Sequence, residues 1–247
     1  MKKVFAMAAI ALFMMTSCSE DDTSSTTPVE DNTLVKKTIT TTESGQVTAT
    51  YSYEGTKLKN ITFDNNAIIE YTYTGNLITR IKTTQDDFFD PSEDYITEML
   101  YEYDTNNRKI KETFVLPNER RITIYGYLEN GSITRSLSMY NSNGDLTYQK
   151  SDTVSYSENA INFIDLNSVH TYDTKNHPLK NITGWKEVTS PVNYLNGHNR
   201  LTSGTPGSGI GLSYTYTYNE NNYPTMSIET DTFGTEPKTT TVQYFYE

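Results

Sequence analysis

Tyr71-Thr72-Tyr73-Thr74-Gly75-Asn76-Leu77-Ile78-Thr79-Arg80-Ile81 decides how the chain is read. Alternate side chains of an extended strand share a face, so Tyr71 and Tyr73 point the same way. Gly75-Asn76 supplies residues that tolerate positive φ, as a tight hairpin turn demands. Leu77, Thr79 and Ile81 then alternate on the returning strand. The stretch is one β-hairpin with a mixed aromatic and aliphatic face.

Variants of this unit recur along the chain, the signature of a structural array. Tyr51-Ser52-Tyr53-Glu54-Gly55 leads to Leu58 and Ile61. Tyr101-Glu102-Tyr103-Asp104 passes Asn106-Asn107 to reach Ile110 and Phe114. Tyr125-Gly126-Tyr127 passes Asn130-Gly131 to reach Ile133, Arg135, Leu137 and Met139. His170-Thr171-Tyr172-Asp173 passes Asn176 to Leu179 and Ile182. Tyr214-Thr215-Tyr216-Thr217-Tyr218 passes Asn221-Asn222 to Met226 and Ile228, and Val242, Tyr244 and Tyr246 close the chain. The expected fold is all-β: a meander of consecutive antiparallel hairpins in a twisted sheet. The sequence leaves open whether that sheet curls, stays partly open or closes into a barrel. Lys57, Lys59, Lys109 and Lys111, on returning strands, are suited to blunting any free edge.

The units resemble the YD repeats of RHS-type proteins, which run Tyr-x-Tyr-Asp, a Gly/Asn turn and an aliphatic position. Tyr103-Asp104 with Arg108 and Ile110, and Tyr172-Asp173 with Leu179, carry the likeness best. The resemblance implies hairpin architecture. The enclosing function of RHS shells is not carried over, because those shells use far more repeats.

Residues 1–17 read as a signal peptide: Lys2 and Lys3 precede an apolar run from Val4 to Met15, too short to span a bilayer. Met15-Thr16-Ser17-Cys18 resembles a bacterial lipobox, which implies lipidation of Cys18 and a stable membrane anchor. Ser19-Glu20-Asp21-Asp22 resembles the surface-export signal of Bacteroidota-type lipoproteins, which implies an outer-membrane lipoprotein at the cell surface. Residues 18–33 are polar and acidic, with too little apolar surface to fold, and read as a flexible tether. Residues 34–247 then form a single β domain with insertions at 85–94 and 184–211.

Composition narrows the function. The net charge is −11, and without the leader's two lysines it is about −13, with no basic stripe for nucleic acid. Cys18 is the sole cysteine, so no intramolecular disulfide, thiol nucleophile or thiolate metal site is available. His170, His177 and His198 lack metal-ligand spacing, and no nucleophile-elbow motif occurs, so neither metal nor cofactor is expected and no catalytic residue is assigned. Tyrosine dominates the aromatics, with 20 Tyr against 9 Phe and 1 Trp, fitting faces that are partly wet. Asp152-Thr153-Val154 resembles the short O-glycosylation motif of Bacteroidota-type exported proteins.

The two insertions are the remaining candidates. Gln85 to Asp94 packs acids around Phe88, Phe89 and Pro91 without the spacing of a calcium loop. Gly184 to Gly211 holds Trp185, Tyr194, His198 and Arg200, the candidate ligand-binding residues. Trp185 reads either as a core plug or, with Tyr194, as a sugar-stacking platform. The expected role is a non-enzymatic binding or scaffold module for glycans or an envelope protein. The alternatives are a hydrolase of glycans or peptides, which needs two convergent carboxylates, and a carrier of a small apolar ligand.

Overall fold

The computed structural model describes residues 31–87, 93–189, 191 and 197–247. The leader, Cys18, most of the tether, Phe88, Phe89, Pro91 and Tyr194 lie outside them. Asn32–Glu247 is one compact unit. Its strands are β1 (Val35–Thr42), β2 (Gly45–Glu54), β3 (Lys57–Phe63), β4 (Ile68–Thr74), β5 (Leu77–Asp86), β6 (Asp94–Tyr103), β7 (Lys109–Leu116) and β8 (Glu119–Tyr127). They continue as β9 (Ile133–Asn141), β10 (Leu146–Ser157), β11 (Ala160–Phe163), β12 (Ser168–Tyr172), β13 (Arg200–Gly204), β14 (Gly211–Tyr218), β15 (Pro224–Asp231) and β16 (Lys238–Tyr246). Each pairs antiparallel with its neighbours in sequence, and β16 returns to pair with β1, so the meander closes into a barrel. Closure removes the edges that the lysines were expected to blunt.

The hairpin of Tyr71 to Ile81 forms as β4–β5, with one correction. Gly75 sits at φ 59 at the first of two central positions, and Asn76 is not in the left-handed region, as a type II′ turn requires. Tyr71 pairs with Ile81 but Tyr73 with Ile78, so Thr79 is bulged out of the ladder. The bulge switches faces: Ile78, fully buried, joins Ile81 inside, in place of Leu77 and Thr79. The same shift occurs at Tyr53, Tyr103 and Tyr218. It brings Leu58, Lys109 and Pro224 inside, each three residues before an inward Ile61, Glu112 or Ser227. Lys109 is therefore an interior residue, 2% exposed, rather than an edge charge.

The terminal tyrosine of the unit has a job at the rim. The Tyr53 hydroxyl donates to the Val35 carbonyl at 2.7 Å, Tyr103 to Ile78 at 2.7 Å and Tyr127 to Lys109 at 2.8 Å. Tyr216 donates to Arg200 at 2.9 Å and Tyr246 to Pro224 at 2.7 Å. Each bond joins two strands that have no turn between them at this end. Turns and tyrosine clasps thus alternate around much of one rim. At β3–β4 the buried Tyr73 hydroxyl makes no such clasp and has no hydrogen-bond partner among the described residues.

The barrel wears its aromatics inside. On β14, Tyr214, Tyr216 and Tyr218 are half-buried while Ser213, Thr215 and Thr217 are exposed. On β4, Tyr71 and Tyr73 face in while Glu70, Thr72 and Thr74 face out. The outer wall carries ion pairs such as Arg80–Glu98 and Lys111–Glu102, the latter at 2.7 Å. Exposed Ile68, Ile96, Leu100, Ile124 and Phe245 lie on the same outer wall.

Inside, two apolar clusters form. One gathers Ala49, Leu58, Ile61, Tyr71 and Ile78. The other gathers Tyr125, Ile133, Val154, Ile161, Phe163 and Tyr172. Charged groups share the interior with them, with Lys109 bonded to Glu112 at 2.9 Å and Arg135 to buried Asp152 at 3.2 Å. Asp152 of the glycosylation-like motif is therefore turned inward.

Candidate functional site

The long connection from β12 to β13 caps the clasped rim. It begins at Asp173, eleven residues before the expected insertion, and Arg200–Gly204 is itself strand. Asp173 organises its start, as Asp104 organises the β6–β7 turn. Asp104 Oδ1 accepts the amides of Asn106 and Arg108, each at 2.9 Å. Asp173 Oδ1 accepts the amides of Lys175 at 3.0 Å and Asn199 at 2.9 Å. Its other oxygen takes the Asn199 side chain at 3.1 Å and the Tyr218 hydroxyl. Asn199, 1% exposed, also donates to the Asn176 carbonyl at 3.1 Å. The two ends of the cap are thus zipped together where they leave the sheet.

Beyond this zip the cap turns apolar. Ile182, Leu179, Trp185 and Val188 pack on the first cluster, the last two on the short helix α1 (Trp185–Thr189). Lys109 Nζ donates to the Val188 carbonyl at 2.7 Å. Gly184 sits at φ 76, where a Cβ would meet the Asn76 carbonyl oxygen at 2.7 Å.

Between cap and barrel wall lies a chamber of about 180 Å³, room for on the order of six waters. Its floor is His177, Pro178, His198 and Asn199, and its walls are Tyr172, Arg200, Tyr214, Tyr216 and Tyr244. Of the residues singled out in the sequence, His198 and Arg200 line it together. Trp185 stands one layer behind, stacked on His177 with centroids 6.4 Å apart and planes at 23°. Trp185 is packed in the cap rather than displayed as a platform.

The chamber's chemistry is polar. His198 Nδ1 lies 3.0 Å from the Lys175 carbonyl, so that nitrogen donates. His177 Nδ1 accepts the Leu179 amide at 3.1 Å. Burial, then the Arg200 charge, push the His177 imidazole down to about 4, against the pull of Asp173. Burial and Glu229 push the Tyr214 phenol up to about 12. Burial also raises Tyr216 and Tyr218 well above the usual phenol range. The phenols therefore stay protonated and act as hydrogen-bonding groups. The hydroxyl of Tyr172, 4% exposed, makes no hydrogen bond of good geometry among the described residues, and the Arg200 side chain beside it offsets part of the rise that burial imposes on the phenol. A buried orphan of this kind calls for water or ligand. The nearby carboxylates are committed, Asp173 to Asn199 and Tyr218, and Glu229 to Tyr214.

The chamber was only half legible in the sequence. Tyr172, Tyr214, Tyr216 and Tyr244 read there as repeat residues, and Tyr172-Asp173 carried the one local signal. Two larger hollows lie elsewhere on the barrel. One, about 480 Å³, lies under the 205–210 turn and has no charged lining residue. The other, about 470 Å³, lies between the β4–β5 turn and Glu187.

No protein-family model matches the chain, and no curated protein matches it. Among solved structures, a porin-like protein from Bacteroides uniformis ATCC 8492 is similar at 16% identity and a TM-score of 0.49. The match covers 87% of this chain and 97% of that one.

Proposed function

We propose that the chain is a lipid-anchored envelope protein that binds glycans in the chamber beneath the cap of its barrel. The lipobox-like Cys18 supplies the anchor, and the threonines and ion pairs of the outer wall support a barrel held beside a membrane rather than through it. The observation that carries the binding role is the capped chamber. It combines tyrosine faces with two histidines, Arg200 and an orphaned hydroxyl, the mixture of stacking and hydrogen bonding that a sugar uses. Its charges are mixed in sign, with Arg200 near Asp173 and Glu229, which favours an uncharged, hydroxyl-rich ligand.

The test is a glycan-array screen of the purified protein, followed by titration read through Trp185. A specific hit that shifts the fluorescence, and is weakened about tenfold by Tyr172→Phe, supports the reading. A blank array sinks it.

A further inference from the structure

The rim opposite the cap carries a surface that the chamber does not use. Strands β9 to β16 make half of the circle, and four turns join them at that rim: β9–β10, β11–β12, β13–β14 and β15–β16. Each turn holds up one large apolar side chain, in order Leu146, Ile164, Ile210 and Phe233, and each is more than half exposed. Turns favour Gly, Asn, Asp and Ser, so the fold itself gains nothing from these four. A single exposed apolar residue is ordinary scatter; one on each of four successive turns makes an arc. At the capped rim, the turns of the same half at 158–159 and 219–223 are polar or tucked in, with Tyr223 fully buried.

Local hydrogen bonds hold the tips in place. The Phe233 amide donates to Asp231 Oδ1 at 2.8 Å, the Asn167 amide to the Ile164 carbonyl at 3.3 Å and the Ile210 amide to Ser208 Oγ at 3.1 Å. Adjacent turns lie two strands apart, about 10 Å, so the four tips cover about 30 Å of rim, the length of an extended segment of about ten residues. Near the middle, the hollow of about 480 Å³ beside Ile210, lined also by Val169, Pro206, Leu212 and Thr232, has room for a side chain.

Charge decides what covers the arc. Asp145, Asp165, Asp231 and Glu236 stand in and beside these turns, with Lys238 as their one cation. A second copy of the chain would bring the same excess of acids, and an anionic membrane surface would be repelled in the same way. We infer that the arc docks an extended protein segment that carries both cationic and apolar side chains.

The probe is a labelled dodecamer, Lys-Phe-Lys-Leu repeated three times, titrated by fluorescence anisotropy against the full chain carrying Cys18→Ser. It should bind, and lose about tenfold or more in affinity when Leu146, Ile164, Ile210 and Phe233 are all changed to Ser. Asp145→Lys with Glu236→Lys, which leaves the apolar tips intact, should cost about as much. Ile96→Ser, Ile124→Ser and Phe245→Ser together, exposed elsewhere on the wall, should leave binding unchanged, and a dodecamer with Glu for Lys should not bind. No binding of the lysine dodecamer, or equal binding by the rim variants, overturns the inference. So does a dimer in sedimentation, or flotation with phosphatidylethanolamine–phosphatidylglycerol vesicles, that the four Ser substitutions abolish; the first gives the arc to a second copy and the other to a membrane.

Discussion

Single residues show how much one atom's surroundings decide. Tyr103 and Tyr172 look alike in the sequence, each preceding an Asp at the end of a strand. Tyr103 has a carbonyl to bond, and Tyr172 has none. Tyr103→Phe should therefore cost about 1 kcal/mol in urea unfolding, whereas Tyr172→Phe should leave stability unchanged or slightly raised. Equal losses for both would show that the Tyr172 hydroxyl is partnered after all. His177 sets a pH dependence. Its folded value lies near 4, below an unfolded value near 6.5, so the unfolded chain takes up its proton first. Its contribution is complete above pH 6.5 and lost as pH falls toward 4, at most roughly 3 kcal/mol. Urea midpoints measured from pH 7 to pH 4.5 should fall, and His177→Gln should flatten that slope. A slope unchanged in the variant would assign the loss elsewhere. Lys109 marks a limit of legibility. A strict two-residue alternation gives it no reason to face inward. The clue is its three-residue spacing to Glu112, shared with Leu58–Ile61 and Ile78–Ile81, which marks a bulge beside a turn.

Hairpins were the most legible level, because aromatic pairs, glycine and asparagine turns and β-branched runs all name the same element. What each hairpin does with its last tyrosine was not legible. The clasp reaches a carbonyl on a strand joined only at the far end, and no local pattern encodes that partner. The cap hid for a similar reason. It begins inside what looked like another repeat, at Tyr172-Asp173, and declares itself only through Asn199, which closes the zip from the far side. Gly184 is its tightest joint. Gly184→Ala adds a methyl group against the Asn76 carbonyl at a backbone angle that favours glycine. The variant should lose about 2 kcal/mol or more and alter Trp185 emission, while far-ultraviolet circular dichroism stays that of the same barrel. A native Trp185 signal at full stability would mean the joint can give.

The polarity of the whole molecule sorts it among barrels. Threonines and ion pairs share the outer wall with exposed Ile96, Leu100, Ile124 and Phe245, while tyrosines line the interior. A Cys18→Ser variant should partition into the aqueous phase in a detergent phase-separation assay and give no conductance in planar bilayers. Detergent-phase recovery of the variant, or steady single-channel currents, would argue for a spanning barrel. Curling and closure were beyond the sequence, since nothing in any one repeat states how many neighbours complete the circle.

Closure also says something about how the chain can be assembled and recut. Leu34 and Glu247 exchange backbone hydrogen bonds, with the Glu247 amide 3.1 Å from the Leu34 carbonyl. Every other strand pairing joins sequence neighbours, so folding consists of short loops, the long β12–β13 cap and one seam whose entropy grows only with the logarithm of chain length. The seam's location is then an accident of where synthesis begins. Joining 247 to 34 through a few glycines and reopening the chain at the 205–210 turn should give a circular permutant with the same barrel, its slow final step moved to β13–β14.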